Sequence, residues 1–242
     1  MFVPRRTVED QATFALVPQW AGPTPMAGLH CSGVAVDRSH IATAAHCLGD
    51  SSAAFLLARS LCDAIPPGSP TVDLPASAVP NEEPSGSDAI VVAVPFAVGP
   101  EAPIRRGAPS PVQAFVIAFG QAQALGRPGC GATEFDGNLG RCDASVAATW
   151  CLSVSGSQQV CGGSSGAPIF ARRFWGAELV GLVSGGPECG EEGPIVLAEL
   201  PPLSPEPRAA RRTEQIARGH RTCPRAIDRL AGTRVSGADA TP

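Results

Sequence analysis

Three short motifs in a fixed order constrain this chain more than any bulk property. Thr43-Ala44-Ala45-His46-Cys47 comes first, Ser87-Asp88-Ala89-Ile90 second, and Cys161-Gly162-Gly163-Ser164-Ser165-Gly166-Ala167-Pro168 third. A histidine, an aspartate that leads an apolar run and a serine in a glycine-rich turn are the three parts of an activated-serine nucleophile. The order His, Asp, Ser is one of several unrelated arrangements of that chemistry, so it carries fold information as well.

Composition supports a chain of many short strands. The 242 residues suffice for one sizeable core or two small cores packed together. The 27 Gly and 25 Pro are spread without a repeat and read as turns between strands. All 18 basic residues are Arg, a compositional bias to which no function attaches. Net charge is −4. It is uneven: residues 206–242 hold eight Arg against Glu206, Glu214, Asp228 and Asp239. Neither part is charged enough to imply a nucleic-acid partner, and the tail reads as a solvated basic segment.

Nine cysteines in a chain of this length point to an oxidising compartment, secreted or periplasmic. None forms a Cys-x-x-Cys pair and no histidine clusters with them, so neither metal nor other cofactor is expected. The odd count leaves at least one thiol unpaired or intermolecular. The N-terminus MFVPRRTVEDQATF shows no apolar h-region, so no signal peptide is visible. The longest apolar run, Ala89–Val94, is far too short to span a membrane.

Along the chain, residues 1–13 read as a polar, peripheral segment. Short apolar pieces follow from Phe14 to Val36. Strands are expected over Cys31–Val36 and His40–Ala44, with a turn at Asp37-Arg38-Ser39. Further strands are expected over Phe55–Arg59, Ala89–Val94, Val112–Phe119, Ser145–Leu152, Ile169–Phe170, Glu178–Ser184 and Ile195–Glu199. Residues 63–87 read as a Pro- and Ser-rich loop, 99–111 as a connection between two halves, and 124–140 as a Gly-rich loop. The packed domain ends near Pro201–Pro207. No strong amphipathic helix interrupts the pattern, so the class is all-β.

On these motifs the chain resembles the chymotrypsin-like (trypsin-fold) serine endopeptidases, over roughly residues 14–200, and most of all their bacterial secreted members. The histidine lies in CSGVAVDRSHIATAAHC, the aspartate in SDAIVVAV and the serine in CGGSSGAP. Val183-Ser184-Gly185-Gly186 follows, and then Cys189. The resemblance implies two six-stranded antiparallel β-barrels, about 14–105 and about 110–205, with the active site in the cleft between them. It implies a peptidase domain over 14–205 that acts on a protein or peptide substrate, as a monomer. His46 would be the general base, Asp88 its orienter and Ser165 the nucleophile, with the Gly163 and Ser165 N–H groups as oxyanion hole. Gln159, Ser184, Gly185 and Gly186 would line the substrate pocket. Gln159, at the expected pocket floor, is not acidic, so a preference for Arg or Lys is unsupported. The resemblance also implies disulfides Cys31–Cys47 and Cys161–Cys189, with Cys142–Cys151 as a shortened version of a third. Cys62, Cys130 and Cys223 receive no partner from it; Cys62 and Cys223 could pair with each other, but read rather as independent, one of them the leftover thiol.

Other residues read as ordinary. His30, His40 and His220 lack a motif. Asp73 competes with Asp88 from within a Pro-rich loop, and Ser164 competes with Ser165 by one position. Arg105-Arg106 and Arg172-Arg173 read as solvated loop charges. One departure from the family bears on function. Ser164 stands where the family has an Asp that pairs with a freshly cut Ile-Val-Gly-Gly N-terminus, and that N-terminus is also missing. A catalytically impaired homologue that binds or regulates is therefore the alternative. No Cys occupies the nucleophile position, which disfavours a cysteine hydrolase.

Overall fold

The structure, a computed structural model, describes residues 8–18, 31–48, 53–62, 71–74, 88–94, 96–98, 104–119, 130–143, 146, 149–154, 163–187, 191 and 193–201. The chain divides into two parts, Met1–Pro202 and Leu203–Pro242, and the second part lies wholly outside the described residues. A single helical turn and a half, α1 (Val8–Ala12), leads into twelve strands. Its last residue, Ala12, and Thr13 after it are buried, although both fall in the segment expected at the periphery.

Strands β1 (Thr13–Pro18), β2 (Cys31–Ala35), β3 (His40–Ala44), β4 (Ala53–Ala58), β5 (Thr71–Leu74) and β6 (Ala89–Ala93) form one antiparallel sheet, ordered β5-β4-β1-β2-β3-β6. Strands β7 (Val112–Ala118), β8 (Thr133–Arg141), β9 (Trp150–Val154), β10 (Pro168–Arg173), β11 (Gly176–Gly185) and β12 (Ile195–Ala198) close into a six-stranded antiparallel barrel. The all-β architecture of two six-stranded antiparallel units agrees with the expected fold. Among the described residues, β5 and β6 remain the two edges of the first sheet.

Period-two alternation explains why several strands are apolar along their whole length. In β7, Ala114, Val116 and Ala118 face the barrel core with Leu139, Leu152, Ile169 and Leu197. Phe115 and Ile117 point the other way and join Val34, Val36 and Ala42 of the first sheet in a shared core with Phe170, Leu179 and Leu182. Phe14 and Leu16 of β1 fill the first sheet's own core with Ile41 and Phe55. The two units are therefore joined by hydrocarbon, with side chains supplied from both.

Two segments read as loops contain strands. β5 falls inside 63–87, and β8 begins inside 124–140 and ends one residue past it. β8 alternates clearly, with Phe135, Gly137 and Leu139 buried. Gly137 is required there, because a Cβ would lie 2.6 Å from the Ser153 carbonyl oxygen on β9. β6 is an edge strand whose residues are mostly half-exposed. Between β2 and β3, Asp37 Oδ1 accepts the Ser39 and His40 amides at 2.8 Å each, a local cap that fixes the expected turn.

Arg106 corrects another expectation. It is half-buried, its guanidinium donates to the Pro201 carbonyl, and burial pushes its pKa down. Arg172 is not simply solvated either: it pairs with Glu134 and Asp136 and lies over the Phe115 ring. Cys31–Cys47 and Cys142–Cys151 are bonded. Cys62 is bonded to Cys130 across 68 positions and is therefore not independent. That bridge ties the end of β4 to the approach to β8, beside a Leu61 N–H to Cys130 carbonyl hydrogen bond of 2.6 Å. Cys161, Cys189 and Cys223 lie outside the described residues. Among those described, no helix is long and apolar enough to cross a membrane.

Candidate active site

Strand register brings His46 and Asp88 together. β3 and β6 pair antiparallel with Ala44 opposite Ala89. The next positions outward are Ala45 and Asp88, and the Ala45 N–H donates to the Asp88 carbonyl at 3.2 Å. A 3₁₀ turn, Ala45–Leu48, then swings the His46 ring back over Asp88. His46 Nδ1 lies 2.6 Å from Asp88 Oδ2, and the His46 amide donates to Asp88 Oδ1 at 2.9 Å. The Cys31–Cys47 disulfide anchors the turn from its next residue.

Asp88 is 6% exposed, whereas the His46 side chain is 37% exposed. Ser184, on β11, donates its hydroxyl to Asp88 Oδ2 at 2.7 Å. Burial alone raises the carboxyl's pKa. The hydrogen bonds from the His46 ring, the Ser184 hydroxyl and the His46 amide, with the attraction of His46, outweigh burial and hold it below its ordinary value. The carboxylate thus stays charged against the first unit's core and fixes which ring nitrogen faces it.

Ser165 arrives from the other unit in a turn bounded by two glycines with left-handed backbone, Gly163 (φ 90°) and Gly166 (φ 77°). L side chains rarely adopt such angles, which explains the Gly-Ser-Ser-Gly spelling. The Gly166 amide donates to the Val183 carbonyl at 2.7 Å and the Ala167 amide to the Ser164 carbonyl at 2.9 Å. A Cβ on Gly166 would lie 2.3 Å from both the Ser32 carbonyl oxygen and Thr43 Oγ1. The turn is therefore pressed directly onto β2 and β3. Ser164 is buried at 1% exposure, while Ser165 is half-exposed. Ser165 Oγ makes no hydrogen bond to the His46 ring; such contacts are commonly loose until substrate binds.

These two loops bear the three motif residues, on adjoining units of one six-and-six strand architecture. Residues 19–204 match the family model described as Trypsin. The chain belongs to the trypsin family. No curated protein sequence matches it. Membership supports a trypsin-like serine peptidase function, with protein as the substrate class.

Of the pocket residues that the family resemblance implied, Ser184 is 1% exposed and its hydroxyl donates to Asp88. Gly185 is half-buried and Gly186 exposed, with only Ile195 near a hypothetical Gly186 Cβ, at 3.8 Å. Gln159 lies outside the described residues. Asp73 sits on β5, with β4, β1 and β2 between it and β3. It is thus separated from His46 by the width of the sheet. Cys31, His46 and Cys47 bring potential ligand atoms within 4.8 Å of one another. Both sulfurs are consumed in the disulfide, so no thiolate is left to bind a metal there.

Sequence reasoning missed Ser32. Its hydroxyl donates to the Gly163 carbonyl at 2.8 Å and accepts the Phe119 amide at 3.2 Å. Its own amide donates to the Ser165 carbonyl at 2.8 Å. Its carbonyl accepts the Thr43 hydroxyl, also at 2.8 Å. Nothing in the local sequence signals this, because every partner except Thr43 comes from the other unit.

Proposed function

We propose that this trypsin-family chain is a serine endopeptidase that cleaves peptide bonds through Ser165, His46 and Asp88 and an acyl-enzyme intermediate. The buried Asp88 carboxylate held 2.6 Å from His46 Nδ1 carries the reading. It leaves the ring's Nε2 as the basic nitrogen, at the edge of a half-exposed histidine. Ser165 is the nucleophile rather than Ser164, since the neighbouring hydroxyl is buried.

The steps follow from these roles. His46 takes the Ser165 proton as Oγ bonds to the substrate carbonyl carbon. The oxyanion is met by the Gly163 and Ser165 N–H groups. The imidazolium, stabilised by Asp88, returns the proton to the departing amine as the C–N bond breaks. Water repeats the sequence on the acyl-enzyme and frees Ser165. Gln159, uncharged at the position where the resemblance puts the pocket floor, and Gly186 near its mouth support a preference for an apolar or small side chain. Three disulfides support an extracellular or periplasmic site of action.

Ser164 favours a second reading, a homologue that binds without catalysing, because a neutral residue stands where the family has its organising carboxylate. A fluorophosphonate probe separates the two. The first reading expects stoichiometric label on the wild type and none on Ser165→Ala. An unlabelled wild type, or equal label on both, would favour the second.

A further inference from the structure

We propose that Ser32 is the positioning residue that shapes the nucleophile turn, in place of a charge at position 164. The proposal rests on the serine-peptidase reading and names what holds its site in form. Position 164 is a neutral, buried serine, so no carboxylate is available there to draw the turn into place. Ser32 instead reaches the turn from β2, itself completely buried.

The geometry shows how one residue can do this. Ser32 Oγ donates to the Gly163 carbonyl, and Ser32 N donates to the Ser165 carbonyl, each at 2.8 Å. These carbonyls belong to the peptide units before Ser164 and after Ser165. The unit between them carries the Ser165 N–H. Pinning the carbonyl on each side fixes the rotation of that middle unit, and with it the direction of the N–H that meets an oxyanion. Gly163 has no Cβ and a left-handed φ of 90°, so its peptide has other orientations open to it unless something holds it.

Ser32 is held in turn. The Phe119 amide donates to its Oγ, which aligns the hydroxyl proton toward Gly163. The Thr43 hydroxyl holds its carbonyl. Ser32 lies 131 positions from Gly163, so the contact is set by the docking of the two units and not by local sequence. An uncharged clamp needs no freed N-terminal amine and would hold the turn without an activating cut.

The test compares wild type, S32A and S32T by three readouts: amide exchange over 163–167 and 168–173, the rate of fluorophosphonate labelling, and kcat with KM on a peptide substrate. S32A keeps the backbone bond to Ser165 and loses the one to Gly163. Exchange over 163–167 should quicken by about tenfold while 168–173 stays unchanged, as expected of a local opening. Labelling and kcat should fall by about 10- to 100-fold with KM unchanged, the size of effect a small misplacement gives. S32T keeps the hydroxyl and should restore all three; a merely space-filling role would not be rescued by the larger residue. Wild-type exchange and kcat in S32A would overturn the proposal, as would an S32T that behaves like an S32A with intact fold. A wild type that takes no probe label defeats the peptidase reading, while the exchange comparison still decides whether Ser32 holds the turn.

Discussion

The two halves of the site are held by different means. On the first unit, His46 is oriented by a charged side chain, Asp88, which is itself held by the Ser184 hydroxyl and the His46 amide. On the second, the Ser165 turn is held by neutral hydrogen bonds to its backbone and by a glycine fitted against β2 and β3. The first kind of hold can be titrated, since it depends on a carboxylate. The second depends on shape and is indifferent to pH across the physiological range. In the proposed mechanism the base must change its charge, so its support must respond electrostatically. The oxyanion donors of that mechanism must keep still, so theirs must be rigid.

Asp88→Asn should do the most damage. The shape is nearly preserved, but the wrong tautomer of His46 is favoured, and kcat should fall by about 10⁴-fold. Steady-state kinetics against pH would check it, with amide exchange over 163–167 expected to match wild type. Disturbed exchange there would show that the two holds are not separate.

Gly166→Ala attacks the other half. The added methyl meets the Ser32 carbonyl and Thr43 Oγ1 at 2.3 Å and the Ala44 amide nitrogen at 2.8 Å, from a backbone with φ of 77°. Overpacking of this sort should cost about 3 kcal/mol in urea unfolding, and the displaced nucleophile should lose about 100-fold in kcat. The loss should be equal at every pH. A shifted acid limb in this variant would break the comparison.

Ser184→Ala should give the smallest effect and the sharpest test of the electrostatic half. In the wild type, burial opposes ionisation of Asp88, and the bonds from His46 and Ser184 overcome it, leaving the carboxyl below its ordinary value of 3.8. A group lowered on folding stabilises the fold fully above its unfolded pKa and loses that contribution as pH falls through the folded one. Removing Ser184 raises the folded value toward 3.8. The variant should be less stable at pH 7 by about 2 kcal/mol, with the gap closing as acid protonates Asp88 in both proteins. Urea titrations at neutral pH and below the wild-type carboxyl's pKa measure it. A gap unchanged in acid would place the loss in packing rather than in charge.

Legibility in the sequence followed the range of the interactions. Cys31–Val36 and His40–Ala44 could be read because short apolar runs and an Asp-capped turn are local. The all-β character could be read from dispersed turns. β8 was hidden because Gly137, needed for close approach to Ser153, looks like a loop residue out of context. β5 was hidden because proline and serine surround a strand that only its pairing with β4 defines. Cys62–Cys130 spans 68 positions, and no motif foretells it. In the site, the motifs marked His46, Asp88 and Ser165. The bond from Ser184 to Asp88 and all but one of the contacts of Ser32 arise where distant segments meet.

The fit of Gly166 against β2 and β3 also bears on when the protein can act. The Ser165 turn is bonded to its own barrel at Val183, but the wall that Gly166 fits against is the Ser32 carbonyl and the Thr43 side chain, supplied by strands made far earlier in the chain. A polypeptide emerging from synthesis carries its histidine and aspartate long before its serine. Until the last strands close the second barrel, there is nothing to seat the serine against them. On the proposed peptidase reading, activity therefore waits until both sets of strands have formed and met.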